Sequence, residues 1–170
     1  MAAKKRTKSA PLTHVDARGQ ARMVDVGAKD VTERRAVAVA HVKMARATLS
    51  RLTQGDTPKG DVLAAARLAG IAAAKRTAEL IPLCHVVPLT SAKIDVDLVP
   101  PGTARITATC AARDRTGIEM EALVAASVAA LTLYDMLKAI DRGITFEVAL
   151  VEKDGGKSGR YVRSKAGGAS

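Results

Sequence analysis

Apolar residues recur along this chain with two periods, and the switches between them predict its elements. Residues 93–98, Lys-Ile-Asp-Val-Asp-Leu, alternate strictly, which puts Ile94, Val96 and Leu98 on the buried face of a strand. Pro100, Pro101 and Gly102 turn the chain, and residues 105–110 return as the second strand of a hairpin. Residues 20–26 alternate over a shorter span, with Ala21, Met23 and Val26 inward and Gly27 as the stop, and residues 144–151 make a final strand. Elsewhere the spacing is helical. Asp30 and Glu33 form a capping-box pair, and Ala36, Val37, Ala40, Met44, Ala47 and Leu52 recur at steps of three and four. A helix is therefore expected from about residue 30 to Leu52, stopping at Gly55. Asp61 caps a further helical stretch from Val62 to about Leu80, in which Gly70 either divides the helix or permits a close helix contact.

The most apolar stretch, residues 116–141, reads as one helix of about seven turns, or roughly 36 Å. Thr116 and Glu119 supply its capping box, and Gly143 a left-handed cap. Its Ala-rich middle is apolar on nearly every side and is expected to be buried on more than one face. Glu119 and Glu121 mark its front, Asp135 and Lys138 its back. The step from Glu121 to Asp135 returns to nearly the same face, but about 21 Å along the axis, too far for one small ligand to touch both. Either the two ends do different jobs, or two copies pack antiparallel along the Ala-rich middle and each lends its front to the other's back. The element order is strand, two helical stretches, two strands, helix, strand. That order implies an α+β ferredoxin-like sandwich, a four-stranded antiparallel sheet with helices on one face.

At 170 residues the chain is expected to be one domain over residues 12–161, flanked by a disordered basic tail at 1–11 and a flexible one at 162–170. Cys84 and Cys110 form no CxxC pair, which fits a reducing cytoplasm. No run approaches the roughly 18 apolar residues of a membrane span. Of the net charge of +10, seven positive charges lie in residues 1–8 and 160–170, which leaves +3 for the body. No stacking aromatics or docking motif accompany them, so nucleic acid is a disfavoured partner, while a small polyanionic ligand fits.

Chemistry concentrates in a few places. Residues 155–159, Gly-Gly-Lys-Ser-Gly, look like a phosphate loop, but the glycine a Walker motif needs is Val151 and no helix follows. Consecutive glycines can still offer backbone N–H groups to an anion, with Lys153 and Lys157 adding charge; the alternative is a solvated loop. Lys59 precedes a helix start, a common turn pattern that also favours anions. His85 is either a proton-transfer imidazole or a satisfied structural histidine; His14 and His41 are too distant in sequence to suggest a metal site. Asp135 and Lys138, at i and i+3, read as an intrahelical ion pair or, given their apolar helix, as functional groups.

These positions fall inside a set of blocks with a known counterpart. Residues 12–16 (Leu-Thr-His-Val-Asp), 23–26 (Met-Val-Asp-Val), 59–62 (Lys-Gly-Asp-Val), 80–85 (Leu-Ile-Pro-Leu-Cys-His), 116–123 (Thr-Gly-Ile-Glu-Met-Glu-Ala-Leu), 129–136 and 155–159 run in the order found in the cyclic pyranopterin monophosphate synthases of molybdenum cofactor biosynthesis, which this chain closely resembles over about residues 12–161. The resemblance implies conversion of 3′,8-cyclo-7,8-dihydro-GTP to cyclic pyranopterin phosphate with release of diphosphate. It assigns catalysis to Asp135 and Lys138 with Lys59 and Lys153, and substrate binding to Arg34, Lys75, Lys157, Leu83, Cys84, His85, Glu119, Met120 and Glu121. It implies no resident cofactor or protein-held metal, leaving open Mg²⁺ with the triphosphate, and a hexameric trimer of dimers with sites at the dimer interface. An upstream radical GTP cyclase would supply the substrate. Clustered cations are expected to depress one lysine pKa and make that amine a base. The chain departs from the family at Val86, where proline is usual and would stiffen the loop, and at Leu137, which looks like a core substitution. A catalytically silent paralogue and a nucleic-acid binder using the basic tails are the other function classes.

Overall fold

The computed structural model describes residues 18–164. Its elements are β1 (Thr32–Lys43), α1 (Arg46–Gln54), α2 (Val62–Lys75), α3 (Thr77–Leu80), β2 (Leu89–Val99), β3 (Thr103–Asp114), α4 (Glu119–Leu137), β4 (Thr145–Asp154) and β5 (Tyr161–Val162). The strands form one antiparallel sheet in the order β2-β3-β1-β4-β5. The α+β ferredoxin-like class holds, with five strands rather than four because residues 161–162 add a short edge beside β4. The hairpin forms as expected, with Ile94 buried and Val96 and Leu98 packed on the core. The predicted segments at 1–11 and 12–16 lie outside the described residues; Val162 belongs to β5 and residues 165–170 lie outside.

The first strand and the first helix are elsewhere than expected. The helix assigned to residues 30–52 is mostly β1, a central strand paired with both β3 and β4. Ala36, Ala38, Ala40 and Val42 are fully buried on its one face, and Val37 and Val39 are nearly so on the other. Alanine's high helix propensity and the accidental three- and four-residue steps mask this period of two. Asp30 and Glu33 therefore cap nothing, and α1 begins only at Arg46. Its N-terminus is covered by a remote side chain: Asp141 accepts hydrogen bonds from Ala45 N (2.9 Å) and Thr48 Oγ1 (3.0 Å). Residues 20–26 form no strand beyond an isolated bridge at Ala21, and Met23 is exposed.

Helix α2 forms as expected, with Asp61 accepting from Ala64 N at 2.9 Å. Gly70 serves close contact rather than division, since a Cβ there would lie 3.0 Å from Ala125 O and 3.2 Å from the Ala129 Cβ. Helix α4 is 19 residues, about 28 Å, and so shorter than expected. Its N-cap is Ile118 with no side-chain cap, because Thr116 and Glu119 line a cavity instead. It stops at Leu137, and Gly143 does not take a left-handed conformation. By length and apolarity α4 matches a membrane span, contrary to the expectation that no run approaches one. Here it lies across β1, β3 and β4 with α2 beside it. Ala122, Ala125, Ala126, Ala129 and Ala130 are completely covered within one copy. The Ala-rich middle is thus used inside the chain and is not free to be a seam between copies. Leu137 is fully buried, as a core residue.

Candidate active site

At the front of α4 two adjoining cavities open. The first, of about 530 Å³, is lined by Lys29, Arg34, Arg115, Lys153 and Lys157, with Asp30 and Glu119 as its acids and Thr32, Thr116, Gly117, Gly156 and Ser158 between them. Five cations against two carboxylates leave it strongly positive. The second, of about 430 Å³, shares Lys29, Thr116, Gly117 and Glu119 with the first and adds Val24, Val26, Ile81, Leu83, Cys84, His85 and Met120. Each is of a size that holds a small organic ligand.

The basic wall is built by the sheet and the glycine loop together. Arg34, on the helix-facing side of β1, is buried and donates from Nε to Asp114 O at 3.0 Å. The loop after β4 folds over it: Gly155 and Gly156 have φ of +96° and +75°, and any Cβ on Gly156 would strike the Arg34 guanidinium. Glycine is required there by both conformation and space. Lys153 donates to Ser158 Oγ across the same loop. The loop is no Walker motif, but it carries Lys157 and brings Ser158 onto Lys153 of β4 beside the cavity.

The second cavity is closed by the segment before β1. His85 donates from Nε2 to Val24 O at 2.7 Å, and since a carbonyl only accepts, Nε2 carries its hydrogen. The structural reading of His85 is therefore met, and the residue also lines the second cavity. The Cys84 thiol contacts Glu121 Oε1 at 3.7 Å. Burial and the neighbouring Glu121 push this thiol up to about 11, so it is a neutral group and not a nucleophile. Glu121 itself is 2% exposed, its Oε2 has no partner, and burial raises its pKa.

At the back of α4 lies a different constellation. Asp135 Oδ2 accepts from Lys59 Nζ at 2.7 Å and Oδ1 pairs with Lys138 Nζ at 2.6 Å. Lys59 also donates to Asp135 O at 3.1 Å, which ties the loop before α2 to the end of α4. Hydrogen bonds from Lys138 and Lys59 draw the Asp135 carboxyl down to about 2, and Asp135 in turn raises Lys138. The expected depression of a lysine is reversed at Lys138, because its nearest charge is a carboxylate rather than another cation.

The predicted residues thus divide. Arg34, Lys153, Lys157, Leu83, Cys84, His85, Glu119 and Met120 meet at the front cavities. Lys59, Asp135 and Lys138 meet at the back and line neither cavity, some 21–24 Å of helix away. Glu121 lies behind the wall rather than on it, and Lys75 is an exposed residue in the last turn of α2 lining neither cavity. Lys29 and Arg115 were missed: both sit in irregular segments whose neighbours are set by tertiary contacts, and no local pattern marks them. Among the described residues no three His, Cys, Asp or Glu converge as metal ligands.

Residues 23–156 match the MoaC family. The chain is 58% identical over 153 residues to the cyclic pyranopterin monophosphate synthase of Roseiflexus sp. (strain RS-1), a match that covers 89% of this chain and 97% of that protein. A family match across most of the chain, including β1 and α4, establishes that this chain belongs to the MoaC family.

Proposed function

We infer that the chain is a cyclic pyranopterin monophosphate synthase of molybdenum cofactor biosynthesis, which rearranges 3′,8-cyclo-7,8-dihydro-GTP to cyclic pyranopterin phosphate and releases diphosphate. The observation that carries this is the cavity ringed by Lys29, Arg34, Arg115, Lys153 and Lys157, joined to a second one lined by Leu83, Cys84, His85 and Met120. A triphosphate belongs in the first, where the cations offset its charge and stabilise the departing diphosphate. The heterocycle belongs in the second. Ring opening and closure also need proton transfer, and Asp135 and Lys138 supply that pair. Lys138 enters as an ammonium, so its first role is proton donor.

One copy cannot bring the back groups to the front cavity, so a second copy must. We infer a dimer in which the Lys59–Asp135–Lys138 end of one chain completes the front cavities of another, assembled further as a trimer of dimers. The contact uses surface other than the covered alanines. The enzyme works in the cytoplasm beside the radical cyclase that makes its substrate, and needs no resident cofactor; turnover with and without Mg²⁺ shows whether a divalent ion accompanies the phosphates.

The test is incubation of the purified protein with enzymatically made cyclised GTP, following diphosphate and the pterin product. Absence of both from the wild-type reaction sinks the enzymatic reading in favour of a silent paralogue. Full activity in both Asp135→Asn and Lys138→Ala removes the catalytic assignment.

A further inference from the structure

We propose that Arg115 is a positioning residue for this site, latching the irregular segment 24–30 across the two cavities so that polyphosphate binding and ordering of the segment are coupled. The proposal deepens the functional reading above and rests on it for the nature of the anion. The segment contains no helix or strand, and most of its residues are exposed. Its internal order is one turn, Lys29 N to Val26 O at 3.0 Å, and a local bond from Gly27 N to Asp25 Oδ1 at 2.8 Å. Yet it supplies Val24, Val26 and Lys29 to one cavity and Lys29 and Asp30 to the other. A segment with so little buried contact depends for its position on the few bonds that reach it from outside.

Two side chains grip its backbone. His85 holds Val24 O at one end, at 2.7 Å, and Arg115 Nε holds Lys29 O at the other, at 2.9 Å. Arg115 reaches out from a firm base. It follows directly on β3, its own N–H donates to Asp114 Oδ1, and Asp114 O is fixed by the buried Arg34 at 3.0 Å. Arg115 also lines the basic cavity. A planar fork can direct Nε to a carbonyl and its terminal N–H groups to a phosphate at once, which a lysine ammonium on a flexible stem cannot reproduce. Arg115 therefore joins the segment that carries Lys29 to the cavity in which Lys29 acts.

Hydrogen exchange at residues 24–30 tests the latch, measured on full-length wild type, Arg115→Lys and Arg115→Ala with and without inorganic tripolyphosphate. Wild-type exchange should slow when tripolyphosphate binds. In both variants it should be about tenfold faster without the anion, as loss of one charge-assisted hydrogen bond implies, and should not slow with it. Steady-state kinetics should show KM raised about tenfold in Arg115→Lys with kcat changed less than about threefold, the pattern of lost binding rather than lost chemistry. Wild-type exchange behaviour in Arg115→Lys would make Arg115 a mere charge and overturn the latch, as would equal exchange in all three proteins. If wild type turns over no cyclised GTP, the enzymatic reading fails while the exchange result still decides the latch.

Discussion

The two ends of α4 each carry a carboxylate, and their surroundings drive those carboxylates in opposite directions. Glu121, at the front, is buried near Cys84, Cys110, Glu119 and Asp114, and burial raises its pKa. Asp135, at the back, is half-exposed between two lysines, and its pKa falls to about 2. One helix therefore presents a carboxyl that holds its proton more tightly than usual at one end and one that holds it less tightly at the other. Desolvation dominates where there is a wall, and charge pairing dominates where there is water. The front has the walls of a ligand cavity; the back is an open ion-pair cluster.

The largest effect should come from the back end. Asp135→Asn and Lys138→Ala should each lower turnover by on the order of 10²–10⁴-fold, the worth of a positioned acid–base group, with circular dichroism and Tm unchanged because both side chains are exposed. Retained activity would leave the back end a mere surface ion pair. The division of labour between copies is next. An inactive Arg34→Ala protein mixed with inactive Asp135→Asn and allowed to exchange subunits should recover about one quarter of wild-type activity, since half the dimers are mixed and each holds one intact site. No recovery, with subunit exchange verified, would break the comparison, because the two ends would then not combine across copies.

A smaller effect separates the carboxylates by pH. Glu121 binds its proton more tightly when folded, so its contribution is fully present below the ordinary carboxylate value of 4.5 and is lost as pH rises through the folded value. The wild-type Tm should therefore fall by several degrees between pH 5 and pH 8 at constant ionic strength, and Glu121→Gln should flatten that slope. An identical slope in the variant would mean that Glu121 is ionised in the folded chain. Asp135 runs the other way: its contribution is present above its ordinary value of 3.8 and lost as pH falls toward about 2. This is the smallest of the effects, because the pair is exposed, and 1 M salt should erase it.

Much of this molecule was legible in its sequence. The hairpin followed from strict alternation and a Pro-Pro-Gly turn, and α2 from Asp61, because those signals act over a few residues and the fold leaves them undisturbed. The resemblance supplied the site residues by motif. Two capping boxes failed for different reasons: Asp30 and Glu33 precede and enter a strand, and Thr116 and Glu119 line the first cavity. β1 failed because a run of alanine and valine fits a helix and a strand equally well until partners arrive on both sides.

The sequence by itself determined the period of its clearest elements, the chemistry available at each position and the impossibility of joining Glu121 to Asp135 within one helix. Only the tertiary structure decided that residues 32–43 are a central strand, that the alanines of α4 are covered within one copy, that Lys59 meets Asp135 across 76 residues, and that Lys29 and Arg115 line the basic cavity. The reason is range. Helix rise and side-chain period are set by neighbours along the chain, whereas burial, pairing and cavity walls depend on which distant segments the core brings together.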